Sequence, residues 1–172
     1  MKKVHTGIFR DGGAGAFAKR RYRGRRKELM RKEGRIMAIT GVPYGPGGKT
    51  TWAYAYCPTY QEPAIMYLTG INQSNVILLL DPDSKISDEI LFVDSRDRFM
   101  EFWEGVRFGV GDDQSLKEVR SVTGIQDVRD IREFKDVLKE RLFKQKKKAL
   151  GTLWLEGTRQ GKPCAIKTDH NY

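Results

Sequence analysis

Cysteine and histidine are scarce in this chain of 172 residues, which contains two of each. Cys57 and Cys164 are far apart, so their spacing predicts neither a disulfide framework nor a paired-cysteine zinc site. His5 lies near one end of the sequence and His170 near the other, which argues against a histidine base and a histidine-rich metal site. The sequence therefore predicts no metal site and no cofactor in this chain.

Long hydrophobic runs are also lacking. The longest apolar segments, such as residues 76–80, are far shorter than the roughly 20 residues that a membrane-spanning helix needs. The first residues contain no apolar stretch typical of a signal peptide. We therefore expect a soluble cytoplasmic protein without a membrane partner. With 39% hydrophobic and 31% charged residues, a chain of this length suits one substantial core rather than two.

Basic residues outnumber acidic ones, which gives a net charge of +10. Most of the excess lies within residues 2–32, and a second basic run occupies residues 144–148. Such charge attracts nucleic acid through the phosphate backbone, but a basic helix is more often a solvated face or is neutralised by an acidic partner. The sequence has no aromatic-rich RNA-binding motif, zinc-finger spacing or basic leucine zipper. A nucleic-acid partner is therefore the weakest functional hypothesis.

Apolar runs alternate with helical patterns along most of the chain. Residues 1–15 are rich in glycine and typical of a mobile tail, whereas residues 16–172 are expected to form a single α/β domain. Helices are expected over residues 16–33, from residue 94 or 95 to 105, and over 112–121 and 130–146. Strands are expected at residues 35–42, 64–69, 76–80, 90–93 and 125–128, with one or two more within 150–167. Residues 43–63 are expected to form a long loop.

A glycine-rich run after the first predicted strand raises the hypothesis of nucleotide binding. Gly48, Lys49 and Thr50 match the end of a phosphate loop, in which backbone N–H groups and the lysine bind phosphates and the hydroxyl helps hold magnesium. Asp81 follows an apolar run, as does the aspartate that orients magnesium in such proteins. However, Pro43 stands where the motif requires its first glycine, and prolines interrupt the segment where its helix should follow. A flexible turn is therefore favoured, and a small nucleotide-binding protein with a degenerate phosphate loop is the alternative function.

Three segments together resemble a known family. The first predicted helix contains Arg25, Arg26, Leu29 and Met30; then come Tyr67, Leu68, Thr69 and Gly70, and then Trp103, Glu104, Gly105, Val106, Arg107, Phe108 and Gly109. Their order and spacing resemble the N-terminal domain shared by aminopeptidase P, prolidase and creatinase, from about residue 16 to residue 143. The resemblance implies a mixed sheet of roughly six strands with helices on both faces, a fold often described as ribonuclease H-like.

In that family the domain precedes a pita-bread catalytic domain, which is absent from this chain. The resemblance therefore implies the non-catalytic N-terminal domain of an Xaa-Pro aminopeptidase-like metallopeptidase, a hydrolase whose dinuclear divalent metal would belong to the missing domain. The implied partners are the catalytic domain, further copies of the chain in a homo-oligomer, and the peptide substrate of the parent enzyme.

Trp103 is the one residue that the resemblance assigns to the substrate pocket, commonly that of a neighbouring subunit. Packing in the core beside Phe99, one helical turn earlier, is the alternative role for this side chain. Arg107 is expected to hold the turn after Trp103 through backbone or carboxylate bonds. The other motif residues are expected to be structural: Tyr67, Leu68, Thr69, Gly70, Gly105 and Gly109.

Overall fold

The computed structural model describes residues 15–41, 62–104, 107–144, 158–159 and 162–163. Its helices are α1 (Gly15–Glu33), α2 (Pro63–Thr69), α3 (Arg98–Glu104), α4 (Asp113–Thr123) and α5 (Phe134–Lys144), with a 3-10 turn at Ile131–Glu133 before α5. Its strands are β1 (Met37–Thr40), β2 (Ile77–Leu80), β3 (Glu89–Val93), β4 (Asp127–Asp130), β5 (Thr158–Arg159) and β6 (Lys162–Pro163). Most of the expected tail and long loop, with Gly48, Lys49 and Thr50, lies outside these ranges, as do the apolar runs 150–155 and 164–167.

The first four strands form one mixed sheet in the order β1-β2-β3-β4. β1 pairs antiparallel with β2, β2 pairs antiparallel with β3, and β3 pairs parallel with β4. β5 and β6 form a separate antiparallel ladder. The expected α/β class with a mixed sheet is confirmed, but six strands in one sheet are not, since four strands make up this sheet in the described residues.

One expected strand, residues 64–69, is a helix instead. Pro63 occupies the first turn of α2, where its missing N–H costs nothing, and Gly70 ends the helix in the left-handed conformation with a φ of 76°. The N–H of Gly70 donates to the carbonyl of Met66 at 2.9 Å. Ile65 and Leu68 are buried with the three-residue spacing of one helical face. The prediction was wrong because a short apolar run fits a buried strand and a buried helix equally well.

The start of α3 also differs from the prediction. The helix expected from residue 94 or 95 begins at Arg98, where the carboxylate of Asp97 accepts the N–H of Phe99 at 2.9 Å. Residue Ser95 instead forms a parallel bridge with Val110, which keeps the preceding backbone extended. Because this bridge takes the place of the first expected helical turn, α3 begins later than predicted.

The core lies on both faces of the sheet. The alternating side chains of the strands form two apolar clusters, as expected for a sheet covered on both sides. One cluster joins Met37, Ile39, Leu78, Leu80, Leu91 and Val93 to Met30 of α1, Ile65 and Leu68 of α2 and Val119 of α4. The other joins Ala38, Leu79, Ile90 and Phe92 to Val137 of α5, with Phe134 edge-to-face against Phe92. Helices therefore cover both faces, as expected.

The basic helix α1 is attached to the rest of the fold by Arg26, whose side chain is fully buried. Its Nη1 donates to the carbonyls of Leu68 at 2.7 Å and Thr123 at 3.1 Å, at the C-terminal ends of α2 and α4. Its Nη2 bonds the carboxylate of Glu89 in β3 at 2.9 Å. Helix C-termini carry partial negative charge and the Glu89 carboxylate a full one, so all three contacts favour the cation. Within the described ranges, no helix is long and apolar enough to cross a membrane.

Candidate functional site

Helix α3 carries Trp103 in its last turn and leads towards the second half of the family motif. The side chain of Trp103 and the whole of Gly105 lie outside the part of the chain that is described. The two roles predicted for Trp103, in a pocket or in the core, therefore both stay predictions. The neighbouring residues of α3 are described and show how the helix is held.

The aromatic side chains of α3 that are described point towards solvent. Phe99 is 72% exposed and Phe102 is 80% exposed. The core role predicted for Trp103 included packing beside a buried Phe99. Phe99 is exposed, so it is not part of the core. Exposed aromatic side chains this close together are typical of a surface that a partner covers.

The opposite side of α3 is held by a charged pair. Arg96, just before the helix, donates from Nε to Oε1 of Glu101 and from Nη2 to Oε2, both at 2.6 Å. The two side chains are only 14% and 9% exposed. Arg96 also donates from Nη1 to Oγ of Ser115 at the start of α4, at 3.0 Å. The bond to Glu101 raises the pKa of the Arg96 guanidinium, so this link between α3 and α4 stays charged at neutral pH.

The segment after α3 is held by side chains from other elements. The N–H of Arg107 donates to Oε1 of Glu101 at 3.3 Å. Gln73, which is buried, bonds both backbone groups of Phe108: its Nε2 donates to the carbonyl at 2.8 Å and its Oε1 accepts the N–H at 2.9 Å. Burial lowers the pKa of the Arg107 guanidinium. The segment after α3 is thus held at two backbone positions: Glu101 binds the N–H of Arg107, and Gln73 binds the N–H and carbonyl of Phe108.

Gly109 lets the chain pass close to Arg96. A Cβ at residue 109 would lie 2.7 Å from the carbonyl oxygen of Asp94, 2.7 Å from Cγ of Arg96 and 3.0 Å from its backbone nitrogen. Any other residue would therefore push apart the bridge between Ser95 and Val110. The last glycine of the motif thus serves close backbone approach.

The first part of the family motif, residues 67–70, forms the end of α2. The hydroxyl of Thr69 donates to the carbonyl four residues earlier at 2.7 Å and accepts the N–H of Ile71 at 3.1 Å. Thr123 at the end of α4 makes the same two bonds, at 2.9 and 3.1 Å. The carbonyls of Leu68 and Thr123 both accept Arg26. Thr69 therefore caps the end of α2, and the carbonyl of Leu68 docks α2 on α1.

Tyr67 is the exposed member of this motif, with 57% of its surface accessible. The guanidinium carbon of Arg25 lies 3.9 Å from the centre of its ring, and Nη1 of Arg25 donates to its carbonyl at 2.8 Å. Tyr67 thus joins the outer side of α2 to α1 by a cation–π contact.

Gly70 and Gly124 have the same strained backbone conformation but differ in the space available for a side chain. Both have left-handed φ angles, 76° and 75°, but a Cβ at 70 would lie 2.6 Å from the ring of Tyr22, whereas one at 124 meets Lys19 at 3.6 Å. We expect Gly124→Ala to cost about 1 kcal/mol from the backbone alone, and Gly70→Ala about 2 kcal/mol. Urea unfolding at pH 7 checks this. Adding Tyr22→Ala should make the costs of the two alanines equal; a persistent difference would contradict the explanation.

Sequence reasoning missed three residues of this region, Gln73, Arg96 and Glu101, and it named Arg26 as part of the family motif without its buried role. Arg26 stands in a run of basic residues, where no local signal separates a buried arginine from solvated ones. Arg96 and Glu101 flank the start of a helix, which is a usable signal, since a basic residue before a helix and an acidic one in its first turn can meet. Gln73 carries no signal, because its partner is a backbone group far along the chain.

Asp81 does not lie where the nucleotide hypothesis requires it. It follows β2 next to Met37, the first residue of β1, because the two strands are antiparallel. The chain leaves β1 at the other end, where Gly41 donates to the carbonyl of Val76, about 15 Å away by strand rise. Asp81 is buried and accepts Arg141 instead. No group of three or more metal-binding side chains occurs among the described residues.

The described part of the chain is an α/β domain in which helices cover both faces of a mixed four-stranded sheet. Residues 22–150 match the sequence model of a family described as aminopeptidase P, N-terminal domain. The chain therefore belongs to this family, and the resemblance found in the sequence is confirmed.

Curated relatives agree with this assignment. The chain is 34% identical over 96 residues to intermediate cleaving peptidase 55 of Saccharomyces cerevisiae, which covers 54% of the chain and 18% of the relative. It is 40% identical over 53 residues to a Xaa-Pro aminopeptidase of Haemophilus influenzae, which covers 31% of the chain and 12% of the relative. The chain thus matches only a small part of each relative.

Solved structures show the same fold. An aminopeptidase of Pseudomonas aeruginosa superimposes with a TM-score of 0.54 and 24% identity over 71% of the chain. Aminopeptidase P of E. coli superimposes with a TM-score of 0.55 and 22% identity over 72% of the chain. The matches cover 26% and 27% of those two proteins, so the chain spans about a quarter of their length.

Proposed function

We propose that this chain is the non-catalytic N-terminal domain of an Xaa-Pro aminopeptidase-like metallopeptidase and that it helps to form the substrate pocket through Trp103. The observation that carries the proposal is the family match over residues 22–150, which includes the whole Trp103 segment. The curated Xaa-Pro aminopeptidase relative supports the substrate class. Chemistry and its dinuclear metal belong to the part of the parent protein that corresponds to the rest of the relatives.

The geometry of α3 supports a role at a contact between domains or subunits. One side of the helix is held to the fold through Glu101, while Phe99 and Phe102 on the other side are exposed. A helix fixed in this way can present an aromatic surface without the entropy cost of ordering it on binding. We propose that the catalytic domain, of the same or a neighbouring subunit, covers this surface and that the contact supports self-association.

The test is a fusion in which this chain replaces the N-terminal domain of the Haemophilus influenzae relative. We expect the fusion to hydrolyse Xaa-Pro peptides, and the isolated chain to hydrolyse none with added manganese, cobalt or zinc. Trp103→Ala in the fusion should raise KM about tenfold and change kcat little, because a residue that only binds substrate affects both ground and transition states. Steady-state kinetics with a short Xaa-Pro peptide measures both constants.

Trp154→Ala is the matched control, because Trp154 lies outside the residues that match the family. We expect it to leave KM and kcat unchanged. Hydrolysis by the isolated chain would show that the domain is catalytic and would refute the proposal. A KM that Trp103→Ala leaves unchanged in an active fusion would remove Trp103 from the pocket.

A further inference from the structure

We propose that Arg96 and Glu101 are positioning residues for Trp103: their two-pronged bond sets the orientation of α3 and so the place of Trp103 in the substrate pocket. The effect on substrate binding rests on the proposed function. The orientation of α3 by this pair does not, and it can be measured in this chain alone. Neither residue is assigned to substrate binding.

The argument begins with the length of α3. The helix has seven residues, and an isolated helix of that length has almost no stability of its own in water. Its described aromatic residues, Phe99 and Phe102, are exposed and add little burial. Among the described side chains of α3, Glu101 on the polar side is anchored, with only 9% of its side-chain surface exposed.

Arg96 is suited to hold Glu101 because it is itself fixed at both ends. Its backbone N–H donates to the carbonyl of Val110 at 2.9 Å, and the N–H of Val110 donates to Asp94 at 3.0 Å. Its guanidinium also contacts Ser115, whose backbone N–H and hydroxyl both donate to the carboxylate of Asp112 at 2.8 Å. A planar guanidinium with two parallel bonds fixes an angle as well as a distance. The pair thus transfers the orientation of α4 and of the backbone bridge between Ser95 and Val110 to α3.

The same carboxylate also reaches past the end of α3. Oε1 of Glu101 accepts the N–H of Arg107, so one side chain ties the helix that carries Trp103 to the segment that follows it. Gly109 then provides the space in which the stem of Arg96 lies. The backbone of Arg107 and the glycine at residue 109, two positions of the motif, are explained by their contact with this pair.

The proposal is tested in the chain itself with Arg96→Lys and Glu101→Gln. Lysine keeps the charge and glutamine keeps the shape, but neither can form the two-pronged ion pair. We expect backbone hydrogen exchange in α3 and residues 107–110 to become about tenfold faster, the effect of losing a charged bond on local opening. Exchange in β3 should stay unchanged.

A second measurement reports on Trp103 directly. With Trp52 and Trp154 replaced by phenylalanine, Trp103 is the single remaining tryptophan. We expect Arg96→Lys and Glu101→Gln to lower its fluorescence anisotropy, since the helix that carries it becomes more mobile. In the fusion described above, Arg96→Lys should raise KM in the same direction as Trp103→Ala, and combining the two should add little.

Arg129 provides the matched control. It forms the same kind of two-pronged pair with Asp127 in β4, at 2.8 and 2.9 Å, away from α3. Arg129→Lys should leave exchange in α3 and the Trp103 anisotropy unchanged. The proposal is overturned if Arg96→Lys and Glu101→Gln alter neither signal, if Arg129→Lys alters them equally, or if exchange in β3 rises together with α3.

The two proposals can fail separately. Exchange and anisotropy involve no substrate, so an unchanged KM for Trp103→Ala would refute the pocket role and leave the positioning of α3 standing. Conversely, a KM that rises for Trp103→Ala but not for Arg96→Lys would keep the pocket role and refute the positioning residues.

Discussion

Replacing Arg26 with methionine is expected to lower the free energy of unfolding by about 3 to 5 kcal/mol, the loss typical of breaking a buried ion pair from one side. Methionine keeps most of the buried volume, so the cost reflects the lost charge and bonds. Glu89, which is 8% exposed, would then be a buried carboxylate without its cation. The carbonyls of Leu68 and Thr123 would lose a donor as well. Urea unfolding at pH 7 measures the change.

Lys27 supplies the control for this prediction. It is the next residue of α1 and pairs with Asp88, the neighbour of Glu89, but its side chain is 45% exposed. Lys27→Met should cost less than about 1 kcal/mol, as exposed pairs do. A loss for Arg26→Met no larger than that for Lys27→Met would show that the buried contacts add nothing.

The buried pair is incompletely bonded, which leads to a further test of the same explanation. Among the described residues, neither Nε of Arg26 nor Oε1 of Glu89 has a hydrogen-bond partner. Replacing both members by apolar residues of similar size removes these groups together and is often nearly neutral in other proteins. The double variant Arg26→Met with Glu89→Leu should therefore recover the part of the lost stability that comes from the uncompensated Glu89 carboxylate, and the part from the Leu68 and Thr123 carbonyls should remain lost.

Gly109→Ala is expected to cost about 3 kcal/mol, at the upper end of the range for adding a methyl group to a packed position. The added carbon would meet the carbonyl of Asp94 and the nitrogen of Arg96, which are backbone atoms and cannot rotate away. The bridge between Ser95 and Val110 would have to open. Urea unfolding measures the loss, and hydrogen exchange of α3 should rise in the same variant because Arg96 is displaced.

Gly24→Ala is the opposite case and serves as its control. Gly24 lies within α1, and nothing lies within 4 Å of a Cβ placed there. Alanine should therefore stabilise the protein by about 1 kcal/mol through helix propensity. If Gly109→Ala were as harmless as Gly24→Ala, the backbone at residue 109 would have room to move, and the close approach to Arg96 would not be required.

Local signals in the sequence determined where most elements lie. Short continuous apolar runs predicted β2 and β3, and the helical spacing of apolar residues predicted α5. Asp112 shows why such signals work: its carboxylate caps α4 by accepting the N–H of Ser115 at 2.8 Å, a contact between residues three positions apart. The family motif was also visible as a pattern, although its role was not.

Tertiary structure alone decided the state of residues 64–69, the burial of Arg26 and the holding of α3. Residues 64–69 are apolar enough for either a strand or a helix, and packing of Ile65 and Leu68 against the core selected the helix. Arg26 is buried because the ends of α2 and α4 and a carboxylate of β3 meet at one point, which no local pattern encodes. Sequence order determines contacts between near neighbours, whereas bonds between residues 26 and 89 exist only once the chain has folded.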